Sequence, residues 1–253
     1  MGFLRTGEEV ERIEALLSAP HWTGEWLAVQ FVTEAETVAR LLPPPLQPGV
    51  EPLATVTVGR WQSNCLGDFS GGVLSLAACH DGVDGSYPLV IYMDREPPLV
   101  FGREVFGEPK KEASSRLFKD GGEIHGWIER YGVRLVDVRA VVGDDLGSDR
   151  GERFSFNYKA RTAAGGRGLQ EDAILTRTHF ALDIRSQRVG TAIVTLASGP
   201  HDPLEEVPVL DVQRAMYVED EARIGCEAVA TVPSRTFLPY HYGRQDDWLS
   251  LGS

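Results

Sequence analysis

Apolar positions fall at helical spacing in two short stretches near the N-terminus and alternate, or run on unbroken, almost everywhere else. Thr6 followed by Glu9 is a capping box, and Val10, Ile13, Leu16 and Leu17 then share one helical face until Pro20 stops the chain. Thr33 with Glu36 reads as a second capping box. It opens a short helix with Val38, Leu41 and Leu42 on one face, ended by the rigid turn Pro43-Pro44-Pro45. Residues 26–31 are apolar enough for a strand. Residues 53–58 place Thr55 and Thr57 on one side and Val56 and Val58 on the other.

The pattern continues as strands. Residues 68–72 read as a glycine-containing turn, and the uncharged runs 73–79 and 89–93 predict a buried hairpin across a polar loop. Residues 123–142 alternate, with Ile124, Gly126 and Ile128 on one side, and the break at Tyr131-Gly132 predicts a second hairpin. Residues 154–160, 173–184, 189–196, 214–218 and 222–232 add strands separated by Gly-rich or acidic loops. The expected fold is mainly β, of the α+β kind, an antiparallel sheet or barrel with a few short helices. Neither a repeat nor a shift in composition divides the chain, so residues 1–253 read as one domain. Residues 1–20 would be its N-terminal helix. Residues 239–253, aromatic and polar, read as a disordered or interface-forming tail, or else as a lid.

Composition narrows the function. At 42% hydrophobic and 25% charged the chain is globular, and 25 Lys plus Arg against 37 Asp plus Glu leave a net charge of -12. Such a surface repels nucleic acid and anionic membrane, so neither is an expected partner. No run reaches the length of a membrane helix and residues 1–6 lack a signal peptide's apolar core, which predicts a cytoplasmic protein. Cys65, Cys79 and Cys226 have no CxxC spacing, and the six histidines no HxH or HExxH spacing, so neither disulfide nor metal is expected. Gly165-Gly166-Arg167-Gly168 lacks the pattern of a phosphate loop.

Lysine usage is the anomaly. Of 25 cationic residues only four are Lys, at 110, 111, 119 and 159, and two of these are adjacent. An amine, unlike a guanidinium, can lose its proton and attack a carbonyl to form a Schiff base. Lys110-Lys111 therefore reads either as a pair on a solvated loop or as amine chemistry. If the backbone stays extended through Pro109, Glu108 points with Lys110 and can move protons as general acid or base, while Lys111 faces the other way.

The stretch Tyr92-Met93-Asp94-Arg95-Glu96-Pro97, then Gly102-Arg103-Glu104, then Pro109-Lys110-Lys111, resembles the signature of the acetoacetate decarboxylase family. The resemblance extends upstream through Leu41-Leu42-Pro43-Pro44-Pro45-Leu46, covers about residues 22–130 and fades toward the C-terminus. It implies a closed, cone-like antiparallel β-barrel with a flanking sheet, a homo-oligomer, no cofactor, a small keto-acid substrate, and Lys110 as the Schiff-base amine. Schiff-base lysines of lowered pKa have acetoacetate decarboxylase itself as their reference case, so this role for Lys110 is carried over from the family.

By the same alignment Trp22 and Tyr92 fall at pocket-lining positions, with Ser70 a further candidate for binding substrate. Arg103 and Glu104 of the signature read as a structural ion pair beside the active-site strand, and Lys111 as electrostatic or structural. An arginine and two glutamates of true acetoacetate decarboxylases fall near Gly24, Thr57 and Gly71, so all three are missing. The expectation is thus a lyase of aldolase, dehydratase or decarboxylase type acting on a keto acid other than acetoacetate. The alternative is a barrel that binds, cyclises or isomerises a carbonyl metabolite without an imine.

Overall fold

The computed structural model describes residues 2–251; Met1, Gly252 and Ser253, the outer ends of the expected domain and tail, lie outside the described residues. Twelve strands form one sheet: β1 (His21–Val32), β2 (Gln47–Pro48), β3 (Leu53–Ser63), β4 (Gly67–His80), β5 (Val83–Met93), β6 (Lys110–Glu112), β7 (Ser114–Asp120), β8 (Glu123–Arg130), β9 (Val133–Val142), β10 (Asp149–Lys159), β11 (Ala173–Leu196) and β12 (Asp211–Val232). Seven of them run in the order β10-β5-β4-β3-β1-β12-β11, and pairing of β10 with β11 closes the ring into a barrel. Neighbours are antiparallel except at Ser155 of β10 opposite Ser86 of β5 and where β6 lies along β5. The far end of β11, from Gly190 to Leu196, pairs with β9 and carries the extension β9-β8-β7, which forms the flanking sheet.

Strand alternation sorts the side chains. Leu27, Val29, Phe31, Val56, Val58, Leu74 and Leu76 point out of the barrel and join Ile124, Ile128, Val136 and Val138 of the flanking sheet in the main core. Val56 and Val58 enter that layer, while Thr55 and Thr57 face the lumen. Gly72 and Gly126 let the sheets approach, since a Cβ on Gly72 would lie 2.6 Å from Ile128 Cδ1 and one on Gly126 would lie 3.1 Å from Val58 Cβ.

Both expected hairpins with glycine turns form. Tyr131 and Gly132 take φ of 50° and 75°, and Asp81 and Gly82 take 49° and 76° between β4 and β5, the left-handed pair that matches strand twist.

Several expectations are corrected. The Thr33–Glu36 capping box does not form: helix α2 (Ala35–Leu41; α1 is Gly7–Ser18) has Glu34 at its N-cap, and the Thr33 hydroxyl is buried. Residues 68–72 belong to β4, because Gly71 and Gly72 serve close approach of neighbouring strands, with Tyr92 O and Thr57 O at 2.3 and 2.4 Å from where their Cβ atoms would stand. The acidic stretch 219–221 does not interrupt β12, since Asp220 accepts from Trp26 Nε1 at 3.0 Å and Glu219 accepts from Lys119 Nζ at 2.8 Å. The break expected after Ile184 is only a bulge in the 24-residue β11.

The C-terminal helix packs against the barrel. Helix α4 (Ser234–Gly243) buries Phe237, which stacks on Tyr158 at 4.4 Å between ring centroids, and the short α5 (Trp248–Leu251) follows. Truncating Ile128, fully buried between barrel and flanking sheet, to Ala is expected to cost about 2–5 kcal/mol. Chemical denaturation should show a lower midpoint with an unchanged slope.

Candidate active site

Two consecutive lysines on a strand must point to opposite sides, and β6 uses both. Lys110 pairs with Ile91 of β5 and Lys111 with Tyr92. Lys110 is 2% exposed; its Nζ donates to Pro98 O at 2.9 Å and lies 2.9 Å from Glu108 Oε2. The chain does not stay extended through Pro109. Lys110 N donates to Glu108 O at 2.9 Å, closing a three-residue turn that brings the two side chains together.

The cover over this pair comes from α3 (Glu96–Phe101) and the π-helical turn Gly102–Phe106 that continues it. A Cβ on Gly102 would lie 2.2 Å from Glu108 Oε2 and 2.5 Å from Lys110 Cδ, so any larger residue there must displace one of these side chains. Gly107 ends the turn at φ 81°, its backbone against Tyr158 and Lys159. Thr176 Oγ1 donates to Phe106 O at 2.6 Å and Arg244 to the carbonyls of Gly107 and Tyr158, so β11 and the C-terminal segment both fix the turn.

Lys110 and Glu108 form the wall between two cavities. Inside the barrel lies a space of about 690 Å3 lined by Trp22, Trp26, Trp61, Phe69 and Phe180 among others. Outside lies a cleft of about 850 Å3 bordered by Arg103, Glu104, Arg130, Lys159 and Arg244. Trp22 lies edge-on to Phe69 at 5.8 Å, and its indole N–H has no partner among the described residues.

Lys111 turns into a buried charge cluster. Its Nζ contacts His201 O at 2.7 Å, Asp202 Oδ1 at 3.0 Å and Asp246 Oδ1 at 3.2 Å. Arg130 closes the ring, reaching Asp202 at 2.8 Å and Asp246 at 2.7 Å. Burial alone would raise the Asp246 carboxyl, but Arg130 and Lys111 hold it down at about 2.

These positions correct three expectations about site residues. Tyr92 is fully buried in the main core and donates to Asp202 Oδ1 at 3.0 Å, because it alternates with Ile91 and Met93 and so faces away from the lumen. Burial, then Asp202, raises its phenol far above the ordinary range. Ser70 likewise alternates with Phe69 and Gly71, and it lines a groove on the outer wall with Thr23 and Arg60. Arg103 and Glu104 are exposed on the π-helical turn and make no ion pair with one another. Residues 239–244 are held in α4 and its cap, where His241 meets Thr162 and Gln245, and burial lowers its imidazole to about 4.

Gly24, Thr57 and Gly71, the positions where the resemblance implied charged groups, have these surroundings. Trp61 lies against Gly24, where a Cβ would stand 2.2 Å from Trp61 Cδ1; Thr57 lines the lumen; and Gly71 packs on Tyr92 O. Sequence reasoning missed Arg153, Asp220 and Asn157. Arg153 and Asp220 line the lumen, and Asn157 is fully buried with both amide atoms unpartnered among the described residues. Their signal was the alternation Arg153, Ser155, Asn157 against Phe154, Phe156, Tyr158 in β10, where the polar face is the inner one. No group of three or more His, Cys, Asp or Glu among the described residues could hold a metal ion, and no helix is long and apolar enough to cross a membrane.

The family model for acetoacetate decarboxylase matches residues 8–231, extending past residues 22–130 at both ends. The chain belongs to the acetoacetate decarboxylase family. An acetoacetate decarboxylase of Burkholderia ambifaria is 27% identical over 207 residues, covering 79% of this chain and 83% of that protein. Among solved structures, an acetoacetate decarboxylase-like enzyme from Sphingomonas wittichii RW1 superposes with a TM-score of 0.75 at 21% identity, covering 85% of this chain and 94% of that one. The enduracididine biosynthesis enzyme MppR, solved with pyruvate, superposes with a TM-score of 0.74 at 16% identity over 84% of this chain and 90% of its own. At these identities the structural matches speak for the barrel fold alone. Family membership supports an enzyme of lyase type.

Two outcomes are expected. Gly102→Ala should force Lys110 and Glu108 apart and lower imine formation on Lys110 at least tenfold, read by borohydride trapping and mass spectrometry, with the barrel's circular dichroism retained. Because the folded Asp246 carboxyl is depressed, its contribution is complete above the ordinary carboxylate range and is lost as pH falls toward 2. Hydrogen exchange of residues 244–251 should therefore rise between about pH 4 and pH 2, before the barrel opens.

Proposed function

We propose that this enzyme is a Schiff-base-forming lyase acting on a keto acid, with Lys110 as the amine and Glu108 as its proton shuttle. The observation that carries the reading is the Lys110 amine, 2% exposed and 2.9 Å from a buried carboxylate, opening onto an aromatic-lined lumen. An ammonium cannot attack; Glu108 is placed to accept its proton, and Pro98 O keeps the nitrogen aimed. The neutral amine adds to the ketone carbon, the carbonyl oxygen leaves as water after protonation, and the protonated imine becomes an electron sink.

Two fates then open. The bond to a β-carboxylate can break, releasing carbon dioxide and leaving an enamine. Alternatively, loss of a proton from the adjacent carbon gives an enamine that adds to an aldehyde, and loss of water follows. Glu108 serves the proton steps of both. We favour the second fate, because Gly24, Thr57 and Gly71 supply none of the charged groups that acetoacetate decarboxylation uses in the family. MppR, which shares the fold, has been solved with the condensation product of pyruvate and imidazole 4-carboxaldehyde, which supports condensation chemistry in such a barrel.

Borohydride reduction in the presence of pyruvate, acetoacetate and aryl keto acids should add mass at Lys110 and nowhere else. Lys110→Arg keeps the charge and cannot form an imine, so turnover should fall by at least a thousandfold, on the order of the loss when a covalent residue is removed. Turnover surviving that change would instead support a barrel that works on its ligand without covalent chemistry.

A further inference from the structure

Arg153 lines the lumen without a hydrogen-bond or ion-pair partner among the described residues. Its Cζ lies 4.9 Å from the Trp26 ring centroid and 5.1 Å from that of Phe180, and the residue lines the cavity. Among the described residues it makes no hydrogen bond, and no carboxylate lies within ion-pair distance. Asp220, the acid whose field reaches it, is already engaged by Trp26 Nε1 at 3.0 Å. Burial lowers the guanidinium from its ordinary value and Asp220 opposes that shift, as expected for a cation held in partial desolvation on an aromatic seat.

The lumen face built by β1 and β3 carries no cation. Trp61 lies flat on Gly24 and Gly59, its Cδ1 2.2 Å from a Cβ at position 24 and its Cη2 2.8 Å from one at position 59. No side chain longer than glycine fits at position 24 unless Trp61 moves, so positions 24 and 61 offer an indole and no cation, and the charge beside them is the acid Asp220, opposite Gly24 on β12. Besides Lys110, the cations lining the lumen are Arg153 and Arg214. Arg214 sits on β12 opposite Gln30, whereas Arg153 sits among the rings, over Trp26 and against Phe180, which itself neighbours Trp22 at 6.2 Å. A lumen of about 690 Å3 holds far more than a four-carbon acid and falls in the range of ligands carrying a ring.

We propose that Arg153 binds the carboxylate of an aromatic keto acid, whose ring rests among Trp22, Trp26, Trp61, Phe69 and Phe180 while its carbonyl meets Lys110. The choice of a keto acid rests on the reading of Lys110 as the imine-forming amine; the anchoring role of Arg153 is tested apart from it. A guanidinium presents two parallel donors to a carboxylate, and the aromatic seat holds it flat with little entropy left to lose.

The probe for the anchor is 3-phenylpropanoate, which has the ring and carboxylate but no carbonyl. Tryptophan fluorescence should report its binding to the native protein, Arg153→Met should weaken it at least tenfold, and Arg153→Lys should retain part of it. Equal binding by native and Arg153→Met proteins of matched thermal stability, or no binding by the native protein, overturns the proposal. Borohydride trapping with phenylpyruvate and its methyl ester reads Lys110 separately. The native protein should label faster with the acid than with the ester, and Arg153→Met should erase that preference while still labelling with the ester. A preference that persists in Arg153→Met overturns the anchor and leaves the imine standing. Absence of any Lys110 label, with 3-phenylpropanoate binding still lost in Arg153→Met, would count against the imine and uphold the anchor.

Discussion

The apolar layer between the outer wall of the barrel and the β7-β8-β9 sheet is the constraint on which the rest of the molecule depends. A small barrel ordinarily fills its interior with side chains, because that is where water can be excluded. Here Leu27, Val29, Phe31, Val56, Val58, Leu74 and Leu76 face outward and find their partners in Ile124, Ile128, Val136 and Val138. Burial of these groups supplies the hydrophobic stabilisation outside the ring of strands. The lumen is thereby released from packing and can keep a cavity, aromatic surface and unpaired polar groups, each of which would be costly in a structural core.

Against this frame, the position of one amine is over-determined. Lys110 starts a three-residue strand that leans on β5, and its head group is enclosed by a helix that switches to π geometry at Gly102. The switch brings a residue without a Cβ over the lysine, and Gly107 in the left-handed region turns the chain back toward Glu108. Thr176 from β11 and Arg244 after α4 hold the carbonyls of that turn. Elements distant in the chain thus converge on the backbone around one side chain, the kind of support that keeps a reactive group within a narrow geometry.

The two lysines show how environment divides identical chemistry. Lys111 and Arg130 face Asp202 and Asp246 in a ring where charges balance, which ties β6, β8, the loop before β12 and the C-terminal segment together. Removing one member would leave a buried charge without its counterpart, so the ring acts as a fastening more than as a source of net stability. Lys110 has one carboxylate, one carbonyl and a cavity in front of it. Arg153 is a third arrangement, a cation given aromatic faces, with Asp220 near enough to act on it but not to pair with it.

By itself the sequence determined the strand-rich architecture, the α1 capping box, the Tyr131-Gly132 turn and the family signature around Lys110, because each depends on neighbours within a few positions. Alternation in residues 53–58 showed that two faces exist, but not which one is the lumen. That ambiguity misplaced Tyr92 and Ser70, and it hid Arg153, since a polar strand face looks like solvent until closure of the barrel turns it inward. Likewise the glycines at 71 and 72 looked like a turn, and the acids at 219–221 like a loop. Only the tertiary structure could assign them to strands, because the groups that require or satisfy them, Tyr92 O, Thr57 O, Trp26 and Lys119, lie on other strands. Contacts between distant segments are set by closure of the sheet, and closure is a property of the whole chain that no local pattern carries.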